Sequence, residues 1–124
     1  LNEEKSIGPF LEAITPMMER WAPCNRWEII FVNDGSTDAT ESVIASANRI
    51  SPQIWGVSLT RNFGHQPAIF TGLKHASGEI LAILDADLED PPEILDKLIS
   101  AVVTNQADIA YGIRDKREAS PLLK

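Results

Sequence analysis

Short apolar runs alternate along this chain with stretches in which apolar residues recur every three or four positions. Trp27 to Val32 (WEIIFV), Ile54 to Leu59 (IWGVSL) and Ile80 to Leu84 (ILAIL) are the runs, rich in β-branched, aromatic and aliphatic side chains. A strand with one wet face would alternate, so near-continuous runs predict parallel strands covered on both faces. Asp108 to Ile113 (DIAYGI) predicts a shorter fourth strand. Helical spacing fills the intervals. Ile7, Phe10, Leu11, Ile14 and Met18 share one helical face, with Pro9 near the first turn and Pro16 expected to kink or end the helix. Val43, Ile44 and Ala47 mark a second helix behind Ser36-Thr37-Asp38, whose side chains suit an N-cap and an acidic first turn. A third is predicted from Pro67 to Ala76, stopping near Gly78. The fourth starts at Pro91-Pro92 behind Asp90 as cap and carries Ile94, Leu95, Leu98, Ile99, Val102 and Val103.

The expected order is α-β-α-β-α-β-α-β, and strands alternating with helices predict an α/β fold: a mostly parallel, Rossmann-like sheet with helices on both faces. Such a sheet usually opens on a strand. None precedes the first helix, so a first strand is expected to be missing, and residues 1–124 are read as part of one domain cut from a longer protein. The opening Leu1-Asn2-Glu3-Glu4-Lys5 has no signal-peptide character. No apolar run reaches the roughly 20 residues of a membrane span. A formal charge of -7 disfavours a nucleic-acid backbone as partner and adsorption to anionic lipid by charge alone. Cys24 is the single cysteine, which excludes an internal disulfide and a thiolate metal cluster.

Ligands of open α/β sheets bind outside the carboxyl ends of the strands, and two predicted strands end there in carboxylates. One runs into Asn33-Asp34-Gly35-Ser36, the other into Asp85-Ala86-Asp87. Asp85 and Asp87 are two apart and point the same way on an extended backbone. Two hard carboxylates so placed, completed by phosphate oxygens and water, suit Mg²⁺ or Mn²⁺, with Glu89 a possible third ligand. Acidic residues that populate a loop and cap the next helix would look the same. Asp34-Gly35-Ser36-Thr37-Asp38 reads as a tight turn into a helix, and also as a place where Asp34 accepts a hydrogen bond from a nucleotide base. Arg61-Asn62-Phe63-Gly64-His65 is either a polar loop or a donor contact through Arg61 or Asn62. Arg114 and Arg117 are either solvated loop cations or a phosphate clamp. His65 and His75 form no metal pair, and no Gly-rich phosphate loop or Ser-His-Asp set is present. A receiver-type domain would also gather aspartates at strand ends, but needs a Lys or Thr set that is not seen here.

LNEE (1–4), FVNDGSTDAT (31–40), LTRNFGHQPAIFTGLKHASGE (59–79), LDADLEDPPE (84–93) and YGIRDKRE (111–118) together resemble the family-2 glycosyltransferases of GT-A fold. The likeness is to the dolichol-phosphate mannosyltransferase-like and bacterial polyprenyl-phosphate glycosyltransferase branch. It covers nearly the whole chain, in order. By that resemblance Asn2 and Glu3 lie near the nucleotide, Asp34 contacts the base, and Asp85 and Asp87 hold the metal and diphosphate. Glu89 falls at a further metal-ligand position, Arg114 over the phosphates, and Arg117 is a weaker candidate. The family often has Gln where Glu89 stands, Asp where Asn33 stands and an aromatic residue where Leu1 stands.

The resemblance implies a metal-dependent enzyme that moves a hexose from a UDP- or GDP-sugar to a polyprenyl phosphate and inverts the anomeric carbon. The expected setting is the cytoplasmic face of a membrane, reached through regions outside this chain, with homo-oligomerisation possible. Asp87 and Arg114 are the expected catalytic residues. A saccharide hydroxyl as acceptor, or a non-catalytic nucleotide-sugar-binding module, are the alternatives.

Overall fold

The computed structural model describes residues 1–24, 26–105 and 107–113. Its elements are α1 (Ile7–Trp21), β1 (Ile29–Asn33), α2 (Thr40–Ile50), β2 (Ile54–Ser58), α3 (His65–His75) and α4 (Pro92–Asn105). β1 and β2 are parallel, in register from Ile29 opposite Ile54 to Asn33 opposite Ser58. α2 makes the crossover between them. The fold is therefore mixed α/β with a parallel sheet, as the alternation of runs and helical spacing predicts.

Successive strand residues face opposite sides, and the packing partners divide accordingly. Phe31 meets Phe10 of α1 edge to face, with ring centroids 5.9 Å apart. Gly56, beside Phe31 across the ladder, lies under the Ile44 side chain of α2; a Cβ there would sit 2.6 Å from Ile44 Cγ2. On the other face Gly72 of α3 lies over Val32, and His75 of α3 stacks edge-on against Trp55 at 6.1 Å. Helices thus cover both faces: α1 and α2 on one, α3 on the other.

The core is continuous through Ile7, Phe10, Ile14 and Met17 of α1, Trp27, Phe31, Ile44, Ile54 and Leu95. Met17 rather than Met18 is the fully buried methionine of α1. That helix runs through Pro16 to Trp21, so the expected early end does not occur. A proline removes one backbone donor, and the apolar face on either side of it keeps the helix packed. Leu95 brings α4 onto α1. Trp21 Nε1 donates to Asp96 at 2.6 Å, and Arg20 lies 3.8 Å from the same carboxylate.

The expected third and fourth strands do not form. Ile80–Leu84 and Asp108–Ile113 are not strands, and Ile83, Ile109 and Ile113 are 60%, 79% and 79% exposed. A strand exists only against a hydrogen-bonding neighbour, and among the described residues the edge of β1 away from β2 carries none. Both runs have strand composition without a partner. α2 begins at Thr40 with Ala39 at its cap position, later than the predicted Ser36-Thr37-Asp38. α3 begins at His65, two residues ahead of Pro67.

Candidate functional site

The carboxyl ends of β1 and β2 lead into two loops, residues 33–39 and 59–64, that are bonded to each other. The ladder continues one step past the strands, with Leu59 N–H donating to the Asn33 carbonyl at 2.8 Å. Asn33 Oδ1 accepts from Ser36 N–H at 3.0 Å, and Asn33 Nδ2 donates to Ser58 Oγ at 3.3 Å. This closes the turn over the strand ends. Asp34 follows, 8% exposed, and its two carboxylate oxygens accept from the N–H groups of Phe63 (2.7 Å) and Gly64 (3.0 Å). A buried carboxylate must be paired to remain charged, and two backbone amides meet that requirement here.

Gly35 makes the close approach possible. Its φ is +71°, and a Cβ would lie 2.5 Å from Arg61 C and Asn62 N. The second loop then presents Arg61, whose guanidinium carbon lies 4.5 Å over the Phe63 ring centre, a cation–π arrangement. Arg61, Asn62 and Phe63 are exposed.

The amino-terminal segment is bound to the same turn from the other side. Asn2 N–H donates to Ser36 Oγ and Asn2 Oδ1 accepts from Thr37 N–H, both at 2.9 Å. Glu3 N–H donates to Thr40 Oγ1 at 2.9 Å, while Glu3 Oε2 accepts from Ser6 Oγ at 2.7 Å. Glu4 N–H donates to Asp38 Oδ2, and Glu4 Oε2 accepts from Ala39 N–H. Asp38 also accepts from the hydroxyl and N–H of Thr40. The Thr40 hydroxyl bond is the main reason that the Asp38 pKa lies below the ordinary carboxylate value. Asp38 and Glu4 together hold the first N–H groups of α2, the work of an N-cap done from one residue earlier and from another segment.

Asp85, Asp87 and Glu89 stand at alternate exposed positions between Leu84, Ala86 and Leu88, which pack on the core. That alternation turns the two aspartates outward. Asp87 Oδ1 accepts from Glu89 N–H at 3.0 Å. Among the described residues no three His, Cys, Asp or Glu side chains are gathered to hold a metal, so Glu89 is not brought together with Asp85 and Asp87 as a three-carboxylate cluster. What the segment offers a divalent cation is two outward hard carboxylates. That fits Mg²⁺ or Mn²⁺ when a diphosphate and water complete the shell, and it does not resemble a preformed all-protein cage.

The sequence-nominated residues thus fall into three groups. Asn2, Glu3, Asp34, Arg61 and Asn62 lie on the interlocked loops at the ends of β1 and β2. Asp85 and Asp87 stand on their own segment and make no hydrogen bond to those loops. Arg114 and Arg117 lie outside the described residues. Sequence reasoning named Asp38 among the cap residues of α2, and its carboxylate does accept from the Thr40 N–H; it missed Glu4, Thr40, Phe63 and Gly64, which fix the loops. The one available signal was Gly64 inside a polar loop, where a φ of +101° is used. A cavity of about 250 Å³ between α2 and β2, lined in part by Ile44, Asn48, Trp55 and Gly56, contains none of the nominated residues. No helix among the described residues is long and apolar enough to cross a membrane.

Comparison with known proteins places this geometry. The family model for glycosyl transferase family 2 matches residues 1–124. A bactoprenol glucosyl transferase of Shigella phage SfV is 40% identical over 123 residues, 99% of this chain and 39% of its own length. A prophage bactoprenol glucosyl transferase homolog of Escherichia coli (strain K12) is 39% identical over the same span and share. A dodecaprenyl-phosphate galacturonate synthase of Rhizobium johnstonii is 34% identical over 124 residues, 36% of its length. The chain therefore spans about two fifths of the curated relatives it matches.

Proposed function

Because this chain belongs to glycosyl transferase family 2, we propose that the intact protein moves a hexosyl unit from a UDP- or GDP-sugar to a polyprenyl phosphate, with inversion at the anomeric carbon. The observation that carries the proposal is agreement along 99% of the chain with relatives named for bactoprenol and dodecaprenyl phosphate. The geometry supports it. Paired loops at the carboxyl ends of parallel strands are where α/β sheets receive a nucleotide, and the outward Asp85 and Asp87 are suited to the diphosphate end of the donor.

In this reading Asp34 meets the base with the lone pairs that Phe63 and Gly64 leave unused. Asn2 and Glu3 line the nucleotide through the segment they hold against the turn. Arg61 and Asn62 contact the donor, and Arg114 and Arg117 lie over the phosphates. Asp85 and Asp87 would hold Mg²⁺ or Mn²⁺, which when bound neutralises the diphosphate and stabilises it as a leaving group. The acceptor phosphate oxygen is already anionic, so it attacks the sugar C1 without a general base. The C1–O bond to the nucleotide diphosphate breaks and its electron pair leaves with the β-phosphate oxygen, assisted by Arg114. The proposal places the reaction at the cytoplasmic membrane face.

The test is a donor screen on the intact protein with a short polyprenyl phosphate and, in parallel, a saccharide with free hydroxyls. Lipid-linked sugar of inverted configuration from one donor class is expected. Transfer only to the saccharide would reassign the acceptor, and donor binding without transfer to either would make the protein a binding module.

A further inference from the structure

The contacts of Asp34 point to work beyond a nucleotide base. Its two oxygens accept from the amides of Phe63 and Gly64, at 2.7 and 3.0 Å, and among the described residues it is the one buried carboxylate. Those two amides do not belong to its own turn; they lie 29 and 30 residues ahead, in the loop that carries Arg61. Gly35 presses that loop's backbone from the next position. Phe63, whose N–H is held, also carries the Arg61 guanidinium on its ring. A chain of contacts therefore runs from the Asp34 carboxylate through the Phe63 backbone and ring to the Arg61 cation. The left-handed Gly64, at φ +101°, has no neighbour within 4 Å of a Cβ, so nothing packs that conformation in place from the side. The carboxylate bonds hold it.

We propose that Asp34 is a positioning residue: it fixes the 61–64 loop so that Arg61 stands preset toward a phosphate group. This rests on the functional reading above for the identity of that phosphate, which can be the donor diphosphate or the acceptor phosphomonoester. Removing the carboxylate releases the loop and disperses the Arg61 side chain over many rotamers, so binding must then order it again.

The test uses the intact protein with Asp34→Asn, Arg61→Ala and the double variant. Asparagine keeps one acceptor oxygen and sets an NH₂ against the other amide, so one bond of the pair is lost at nearly constant volume. Hydrogen exchange is read at Phe63 and Gly64, and KM is read for UDP-glucose, GDP-mannose and a short polyprenyl phosphate separately. Exchange at the two amides should accelerate at least about tenfold in Asp34→Asn, the scale of a charge-assisted bond. The KM of the phosphate-bearing ligand that Arg61 meets should rise in Arg61→Ala and in Asp34→Asn, and Asp34→Asn should also raise the donor KM through its base contact. In the Arg61→Ala background, Asp34→Asn should raise that KM by a smaller factor than in the parent, because only the base contact of Asp34 is then left to lose.

A rise in donor KM in Arg61→Ala assigns the donor diphosphate; a rise in acceptor KM in Arg61→Ala assigns the acceptor phosphate. Unchanged exchange at Phe63 and Gly64 overturns the positioning role, whatever the transfer assay gives. Faster exchange with additive effects of the two substitutions overturns the link to Arg61. Accelerated exchange in Asp34→Asn with no transfer by the parent protein from any donor of a UDP- and GDP-sugar screen overturns the functional reading instead, so the two failures are distinct.

Discussion

Gly35→Ala tests whether the two loops are packed as tightly as the contacts say. The added methyl would lie 2.5 Å from Arg61 C and Asn62 N, both backbone atoms that cannot swing aside, at a residue with φ +71°. A left-handed alanine costs about 1–2 kcal/mol. Overpacking against fixed backbone adds about 1–3 kcal/mol. The sum, about 2–5 kcal/mol, is a large part of the roughly 5–15 kcal/mol by which a domain is stable. With a urea slope of about 1.5 kcal/mol/M, the unfolding midpoint should fall by about 1–3 M. Gly64→Ala supplies the control. Its φ of +101° and ψ of 171° fall in a region used essentially by glycine alone, and a Cβ there meets nothing within 4 Å, so it carries a backbone cost of its own, about 1–3 kcal/mol, without the overlap. The assay is equilibrium urea unfolding of parent and both variants, followed by tryptophan fluorescence, to which the buried Trp27 contributes. Gly35→Ala must lose more than the roughly 1–2 kcal/mol that a left-handed alanine costs by itself. A loss within that range of about 1–2 kcal/mol would refute the close approach of the loops.

Leu95 is 2% exposed and is the main apolar anchor of α4, so Leu95→Ala should cost about 2–5 kcal/mol in the same urea assay; a loss under 1 kcal/mol would mean that α4 is not seated on α1. Glu28 accepts from the N–H and hydroxyl of Ser77 and from Trp55 Nε1, and the Ser77 N–H bond is the leading cause of a pKa held below 4.5. The stability it contributes is therefore complete above that ordinary value and lost as the pH falls through the lowered one. Melting temperatures between pH 7 and pH 3 should fall less steeply for Glu28→Gln than for the parent, and parallel curves would exclude the contribution.

Much of this architecture is legible in the sequence, and the parts that are not share a physical cause. The runs at 27–32 and 54–59 became β1 and β2 because the parallel pair gives each a neighbour and helices bury both faces. The run at 80–84 has the same composition, yet strand composition is only permissive: the ladder has to exist. Helical spacing located the four helices among the described residues, while the starts of α2 and α3 moved. Ala39 occupies the cap position of α2 because Asp38 and the distant Glu4 take its first N–H groups. No periodicity reveals that, since Glu4 and Ala39 are 35 residues apart. Asp34 was readable as a strand-end carboxylate with a glycine behind it. Its bonds to Phe63 and Gly64 were not, because a loop anchored by a carboxylate has no signature at either end. Asp85 and Asp87 were legible as a pair, and both are exposed while Leu84, Ala86 and Leu88 pack on the core, though a turn at Ala86-Asp87 replaces the expected extended backbone.

Those two carboxylates are the proposed donor-holding pair. The direct measurement is lipid-linked product formed by the intact protein from its best donor and a short polyprenyl phosphate, with Mn²⁺ or Mg²⁺ titrated from zero, for the parent and for Asp87→Ala. Transfer by the parent that rises with metal, and falls at least about a hundredfold in Asp87→Ala, is the predicted result. Metal-independent transfer by the parent, or undiminished transfer by Asp87→Ala, would contradict it.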